Sequence, residues 1–293
     1  MYRISVLFVL LGLSLTNAYP LHTPVIVFDL SVYGKALFGQ PKLAEPYVLR
    51  TQPRVAPDEE DEHPEESGDY LEGDILVPES SISMRSTPPR VSTTWPNGVV
   101  PYEISTTFPQ DDVDTIMRAM ELIQNKSCIL FIPHTTEKDY IFITNQYKGC
   151  WSAVGRMGDK QEVNLQLPAC TKKFGTPVHE LLHVLGFPHE QNRNIRDDFV
   201  VIVNQNIKAE FMKNFKIDEH GQDFGVIYDY GSVMHYSQKA FSINGDPTIV
   251  AIKKREPGVE MGQRTNISDS DVARLNRMYC ETETASTPIP VET

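Results

Sequence analysis

The sequence predicts an α+β fold for residues 86–281, because strand-like and helical patterns occur together in this part of the chain. Short apolar runs at Trp95–Ile104, Ile129–Ile132 and Tyr140–Ile143 are typical of strands. In Gln110–Asn125, apolar residues recur at the three- and four-residue spacing of a single helix face, at positions 113, 116, 117, 120 and 123.

A further strand and two further helices are expected toward the C-terminal end. Val163, Asn164, Leu165, Gln166 and Leu167 alternate between apolar and polar side chains, as an edge or half-buried strand does. A last helix is expected from about Ser268, which can cap it, to Tyr279.

The other helix is expected over Val178–Leu185. Thr176 is a suitable N-cap and Pro177 suits the first helical position. Gly186 follows the helix and can end it in a left-handed turn.

The two ends of the chain are not expected to form a packed domain. Residues 1–18 resemble a signal peptide, with Arg3 before an apolar run and small residues at its end, which predicts secretion. A buried N-terminal helix or a membrane anchor is the alternative. Residues 19–85 form an acidic, proline-rich segment in which Asp58–Glu66 is expected to stay solvated, and residues 282–293 are expected to be a disordered tail. The net charge of -12 argues against nucleic acid or anionic membranes as partners.

The four cysteines and two asparagines fit an exported protein. Cys128, Cys150, Cys170 and Cys280 lack the close spacing of structural zinc sites, so two disulfides are expected, with three connectivities open. Asn125 and Asn266 each begin a glycosylation acceptor triplet.

A metal site is predicted in the stretch VHELLHVLGFPHE, from Val178 to Glu190. His179 and His183 are four residues apart, so a helix places both imidazoles on one face, where they can bind one cation. Gly186 lets the chain turn so that His189 returns to the same point. Three imidazoles with an open fourth position describe a catalytic zinc, one per chain, and Glu180 is placed to act as general base toward a zinc-activated water.

A methionine further along makes this pattern more specific. A bare HExxH pattern occurs often by chance, but HExxHxxGxxH is far more restrictive. Ser232–Tyr236 reads SVMHY, and Met234 matches the later methionine turn of metzincin zinc proteases. Without the upstream histidines, Met234 would be read as ordinary core filling.

Several motifs together resemble the astacin family of zinc endopeptidases, within the metzincin clan. They are the zinc stretch continued through Arg196–Asp197, the run Tyr228–Tyr230, the SVMHY run and GCWSAVGR from Gly149. The resemblance covers roughly Trp95–Cys280 and describes a minimal secreted form with a pro-segment. Asn192 and Ile195 depart from residues that are common in the family.

The resemblance implies a two-lobed catalytic domain. Its N-terminal lobe would carry a twisted mixed sheet and two helices, and its C-terminal lobe would be mostly irregular with one terminal helix. Tyr236 would bind zinc in the resting enzyme and then stabilise the oxyanion. Cys128 would pair with Cys280, and Cys150 with Cys170. The Val163–Leu167 strand would be the sheet edge that pairs with an extended protein or peptide substrate.

The resemblance also gives the acidic segment a role. Asp74, in the run LEGDI, resembles an aspartate switch that binds the zinc of the precursor, and Gly73 would allow the close approach. Arg85 and Arg90 are the basic residues available for an activating trypsin-like protease. A new N-terminus at Ser86 would then be anchored near Glu190.

Two other functions and one specificity are also considered. The chain could be an inactive binding protein, although such proteins usually lose Glu180 or a ligand. It could be a zinc enzyme acting on a non-peptide substrate. The resemblance also implies that Lys253, Lys254, Arg255 and Arg264 lie near the segment that, in related enzymes, shapes the first pocket past the scissile bond. A cation there would favour acidic substrate residues; a solvated basic loop is the alternative.

Overall fold

The computed structural model describes residues 43–44, 63–68, 70–77, 94–219 and 221–281. The predicted signal peptide, the cleavage candidates Arg85, Arg90 and Ser86, and the C-terminal tail lie outside these residues. Within them the α+β fold is confirmed, with one large mixed sheet, four α-helices and several short 3-10 helices.

The large sheet has six strands. They are β1 (Leu43–Ala44), β2 (Val99–Ser105), β3 (Leu130–Pro133), β4 (Tyr140–Thr144), β5 (Cys150–Ser152) and β6 (Lys160–Leu165). Their order is β1-β2-β4-β6-β5, with β3 also paired to β2. All pairs are parallel except β5 with β6, so β5 closes one side of the sheet as an antiparallel strand. The strand predicted from Trp95 begins only at Val99, because Pro96–Gly98 forms a 3-10 turn.

The predicted edge position of Val163–Leu167 is wrong. Strand β6 ends at Leu165 and is paired on both sides, with β4 and with β5. The polar residue in its alternation, Asn164, is buried rather than solvated. Its amide nitrogen donates to the carbonyls of Tyr147 and Gly149 at 2.9 and 2.6 Å. A buried asparagine that binds a loop produces the same pattern as a solvent-facing strand.

The four α-helices are α1 (Gln110–Lys126), α2 (Ala169–Lys172), α3 (Gly175–Val184) and α4 (Asp269–Tyr279). Helix α1 buries Val113, Ile116, Met120 and Ile123, as its spacing predicts. Helix α3 begins at Gly175 rather than after Thr176. Proline is still tolerated there, because the first turn has no intrahelical partners for its N–H groups.

Helix α4 begins with the predicted cap. The Ser268 hydroxyl accepts from the Asp271 N–H at 3.0 Å, and the Asp271 carboxylate accepts from the Ser268 N–H at 3.1 Å. This reciprocal capping box fixes the start of the helix. The helix ends beside Cys280, which is bonded to Cys128 next to β3, while Cys150 of β5 is bonded to Cys170 of α2. These are the pairings that the family resemblance implied.

One apolar core lies between the sheet and the helices, and a second lies in the C-terminal half. The first joins residues of β2, β4 and β6 to α1, α3 and α4. The second contains Tyr228, Tyr230, Tyr236 and Phe241. It is framed by a small antiparallel sheet of β7 (Val200–Ile202) and β8 (Ile249–Ala251). The site lies where these cores meet, because α3 belongs to the first and Tyr236 to the second.

The 3-10 helices cover Pro64–Ser67, Pro96–Gly98, Glu190–Asn192, Arg196–Asp198, Asn204–Asn206 and Ala209–Phe215. No helix among the described residues is long and apolar enough to cross a bilayer.

Candidate metal centre and active site

Helix α3 presents two imidazoles to one point. His179 and His183 are fully buried, and their ring centroids lie 4.6 Å apart in an edge-to-face arrangement. The i, i+4 spacing places both rings on the same side of the helix. The predicted pair is therefore brought together by local geometry alone.

His189 joins the pair through a turn at Gly186. This glycine has φ +103°, a conformation that other residues rarely adopt. The turn returns the chain toward the helix, and the Phe187 N–H donates to the Leu182 carbonyl at 3.0 Å. The His189 ring centroid then lies 4.7 Å from that of His183 and 5.3 Å from that of His179.

The Nδ1 atom of each of the three imidazoles contacts an oxygen acceptor. The partners are the Val233 carbonyl for His179 at 2.8 Å, the Phe187 carbonyl for His183 at 2.7 Å and the Glu72 carboxylate for His189 at 2.8 Å. Since a carbonyl or carboxylate only accepts, each Nδ1 carries the hydrogen. Each Nε2 is thereby left as the lone-pair donor toward the common centre.

Asp74 lies at that centre. Its Oδ2 atom is 3.0 Å from His179 Nε2, 3.6 Å from His183 Nε2 and 3.2 Å from His189 Nε2. The Asp74 side chain is fully buried, as are the three imidazoles. Its carboxylate oxygen therefore lies among the three Nε2 atoms, out of contact with solvent.

This donor set fits one zinc ion. Asp74, His179, His183 and His189 each offer a ligand atom, and these atoms lie within 4.8 Å of one another. His183 Nε2 and Asp74 Oδ1 have no hydrogen-bond partner among the described residues, although both are buried. Three neutral imidazoles and one carboxylate are ligands that zinc prefers in tetrahedral sites.

Glu180 lies beside the centre without belonging to its ligand set. The side chain is fully buried, and its Oε2 atom accepts from the Ser152 hydroxyl at 2.9 Å. Its Oε1 atom has no partner in the described part of the chain. Burial and the neighbouring Asp74 carboxylate raise the pKa of Glu180. One oxygen is held in place and the other is left for a further hydrogen bond.

Tyr236 and Met234 line the site from the C-terminal half. Tyr236 is fully buried; its ring centroid is 4.6 Å from that of His189, and its hydroxyl donates to the Glu72 carbonyl. Met234 is also buried, and its carbonyl accepts from the Glu190 N–H at 3.0 Å. The turn around Met234 therefore supports two of the histidines, through Val233 and through Glu190.

Glu190 is buried against two arginines. Its Oε1 atom accepts from Arg193 at 2.6 Å and from the Asp229 N–H at 2.8 Å, and its Oε2 atom is 3.6 Å from Arg274. Burial raises the pKa of Glu190 to about 7, against the opposing effect of Arg193 and Arg274. Asn192, one departure from the family, donates to the Asn214 carbonyl at 2.9 Å.

The expectation that all of Asp58–Glu66 stays solvated is wrong at its end. Glu65 is fully buried, and its Oε1 atom lies 2.7 Å from Nε of Arg264, also fully buried. Neither atom meets hydrogen-bond geometry, so the contact is an ion pair. Glu66 accepts from the Ser237 N–H and hydroxyl at 2.5 and 2.6 Å. A carboxylate with such partners can be buried, and a run of acidic letters does not reveal them.

Glu72 is a residue of the site to which the sequence analysis gave no role, although it lies within the run LEGDI. It contacts three parts of the site, because its carboxylate accepts from His189, its carbonyl from Tyr236 and its N–H donates to Asn214 at 3.1 Å. The next residue, Gly73, has φ +90°, and an added Cβ would lie 2.7 Å from the Glu65 carbonyl. Glycine is therefore required for this chain reversal.

The segment containing Asp74 pairs with the sheet edge. The Ser152 N–H donates to the Asp74 carbonyl at 3.0 Å, and the Leu76 N–H donates to the Ser152 carbonyl at 2.9 Å. Ile75 and Ser152 form a parallel bridge. The sheet edge beside the metal centre is thus β5, not Val163–Leu167.

The remaining predicted residues differ in burial from those of the centre. Lys253 and Lys254 are exposed and Arg255 is half-buried, so these three do not share the burial of Arg264. Asn125, near the end of α1, and Asn266, in the loop before α4, are both exposed.

Residues 88–280 match the family described as astacin, a peptidase family. Low choriolytic enzyme of Oryzias latipes is 39% identical over 217 residues, which cover 72% of this chain and 78% of that protein. Zinc metalloproteinase nas-13 of Caenorhabditis elegans is 42% identical over 205 residues, covering 68% of this chain and 44% of that protein.

A solved structure also resembles this fold. High choriolytic enzyme 1, a hatching enzyme zinc-protease from medaka, superposes with a TM-score of 0.58 at 38% identity. The match covers 64% of this chain and 92% of that one. The chain therefore spans most of the choriolytic enzymes and less than half of nas-13.

Proposed function

The chain belongs to the astacin family of zinc metalloendopeptidases, and from that premise we propose that it is secreted as a precursor that Asp74 holds inactive. The observation that carries the proposal is the position of the Asp74 carboxylate, which lies 3.0 to 3.6 Å from all three imidazole Nε2 atoms. An anion in that position blocks the site at which a peptide carbonyl would be activated.

Each residue of the site has a role in peptide hydrolysis. His179, His183 and His189 would hold the zinc, which when bound would supply Lewis-acid chemistry and lower the pKa of water to about 7. Glu180 takes a proton from the attacking water and passes it to the leaving amine. This assignment is supported by the two carboxylate oxygens of Glu180. Oε2 is held by Ser152, and Oε1 has no hydrogen-bond partner among the described residues. After Glu72 leaves, the Tyr236 hydroxyl can donate to the oxyanion instead.

Strand β5 receives the substrate in this proposal. Its backbone at Ser152 already bonds to an extended peptide, the pro-segment at Asp74–Leu76. Extended peptides commonly bind proteins by adding a strand to such an edge. A protein substrate would therefore compete for the groups that the pro-segment uses. A trypsin-like cut at Arg85 or Arg90 would allow the segment to leave, and Glu190 is the proposed anchor for the new N-terminus.

Arg264 gives a proposal about specificity. In the precursor its charge is matched by Glu65, with both side chains fully buried. Loss of the segment leaves this cation without its partner, which favours substrates with an acidic residue just past the scissile bond. Exposed Lys253 and Lys254 are not needed for this preference.

Hydrolysis of casein by secreted, trypsin-treated protein tests the proposed function. Activity is expected only after trypsin treatment, should disappear with a zinc chelator and should return with added zinc. Protein that contains one zinc per chain, has lost residues before 86 and still leaves casein and a peptide library intact would contradict it. In the same library, cleavage sites without acidic enrichment would contradict the role of Arg264.

A further inference from the structure

Ser152 is in contact with both the inhibitory peptide and the proposed base. It ends β5, the edge strand that the Asp74 segment covers, and it is fully buried. Its N–H and carbonyl bond to Asp74 and Leu76. Its side chain leaves the strand in another direction and reaches Glu180 of α3. A single residue thus links the peptide-binding edge to the helix that carries the HExxH motif.

The Ser152 hydroxyl has two possible acceptors, and both belong to Glu180. It lies 2.9 Å from the Oε2 atom and 3.1 Å from the backbone carbonyl. A hydroxyl has one hydrogen to donate, and an ionised carboxylate is the stronger acceptor. The backbone contact keeps the hydroxyl beside the helix, while the carboxylate contact fixes the rotation of the carboxyl group.

The hydrogen bond to Ser152 matters because the last side-chain torsion of a glutamate has a broad range of allowed angles, so the carboxyl group has no strong orientation of its own. Oε1 of Glu180 has no partner among the described residues, so the Ser152 hydroxyl is the side-chain contact that sets its direction. Without the hydroxyl, the carboxylate could rotate about its last torsion, and Oε1 would spend less time facing the water.

We propose that Ser152 is a positioning residue that couples peptide binding to the base: its backbone sets the register of the extended substrate, and its hydroxyl directs Glu180. The inference rests on the proposed peptidase function. It assigns the hydroxyl to the chemical step and the backbone to binding, so replacing the side chain should separate the two. Ser152 does not itself exchange a proton with the substrate.

The test is a comparison of Ser152→Ala with Ser152→Thr in trypsin-activated protein. For Ser152→Ala we expect kcat to fall about tenfold to a hundredfold, the range for losing one hydrogen bond to a charged group. KM should stay within about twofold, because the backbone is unchanged. Ser152→Thr retains the hydroxyl and should recover most of kcat. Zinc content should remain one per chain in both variants.

Ser105→Ala is the matched control. Ser105 is also fully buried at the end of a strand, but its hydroxyl bonds to Thr107, remote from Glu180 in the sequence. It should leave kcat unchanged while lowering the melting temperature about as much as Ser152→Ala does. If Ser152→Thr does not fold, the comparison of Ser152→Ala with Ser105→Ala decides the matter alone.

Two results would overturn the inference. One is an unchanged kcat in Ser152→Ala, with or without a rise in KM, and the other is an equal loss of kcat in Ser105→Ala. An active parent protein with either of these results refutes the role of Ser152 and leaves the peptidase function standing. A parent protein that is inactive after cleavage, with zinc bound, refutes the proposed function instead.

Discussion

Replacing Glu65 by alanine is expected to loosen the pro-segment of the uncut chain. The change removes the carboxylate 2.7 Å from Arg264 Nε and leaves a fully buried guanidinium. Among the described residues, its other carboxylate contact is with Glu66, at 3.9 Å. Arg264 also donates to the His235 carbonyl at 3.1 Å, so it cannot leave the site freely. The docked state therefore carries an uncompensated charge that water can solvate only when the segment undocks.

The expected magnitude follows from the burial of the pair. Breaking a buried ion pair by removing one partner costs about 3–5 kcal/mol. Because Glu66 stays near, the lower end applies, and about 3 kcal/mol corresponds to an undocked fraction about 150-fold larger. Residual hydrolysis of a fluorogenic peptide by the uncut chain should rise by a similar factor. The assay requires a background in which Arg85 and Arg90 are both alanine, so that trypsin-like cleavage there is blocked.

The control is Glu121→Ala, the same substitution at an exposed position of α1. It should leave the residual activity within about twofold of the uncut parent, as expected for an exposed surface change. If the uncut Glu65→Ala chain hydrolyses the peptide no faster than the uncut parent, the reasoning is refuted, since the ion pair would then contribute nothing to docking of the pro-segment.

Three other outcomes are expected. Replacing Cys128 and Cys280 by alanine should lower the free energy of unfolding by about 5 kcal/mol, because that disulfide closes a loop with a sequence separation of 152. Replacing Cys150 and Cys170 should lower it by about 3 kcal/mol, because their separation is 20. Chemical denaturation that finds the reverse order would contradict this. Burial opposes ionisation of Glu65, but Arg264 lowers its pKa from 4.5 to about 2, so its contribution to docking is complete above pH 4.5 and is lost as the pH falls toward 2. Trp151 fluorescence, which senses Tyr70 of the segment at a ring distance of 5.2 Å, should therefore be steady above pH 4.5, and a release centred near pH 6 would contradict it. Asp74→Ala should let a chelator remove zinc from the uncut chain faster than from the parent, and equal rates by atomic absorption would argue against a blocking aspartate.

The parts of the site that depend on local spacing could be predicted from the sequence. His179 and His183 meet because a helix repeats every 3.6 residues, and Gly186 permits the turn that returns His189. The bounds of α1 and the Ser268 cap follow from equally local rules. The family resemblance supplied the disulfide pairing, which spacing alone left open among three connectivities.

The parts that depend on tertiary pairing could not be predicted in the same way. Asn164 is polar because it binds a loop, so the alternation of β6 suggested an edge that belongs to β5. Glu65 can be buried because it forms an ion pair with Arg264, and Glu66 because it accepts hydrogen bonds from Ser237. Both partners lie far away in the sequence. Ser152 lies within GCWSAVGR, but that motif does not indicate that its hydroxyl reaches Glu180.

The most direct test of the central claim is hydrolysis by Glu180→Gln beside zinc content in the same preparation. Glutamine keeps the shape of the side chain and can still contact Ser152, but it cannot accept the proton from water. We expect one zinc per chain, normal removal of the pro-segment by trypsin, and peptide hydrolysis reduced by at least about a thousandfold, within the range for loss of general base catalysis. A variant with full zinc and parental kcat would contradict the assignment of Glu180 as the base.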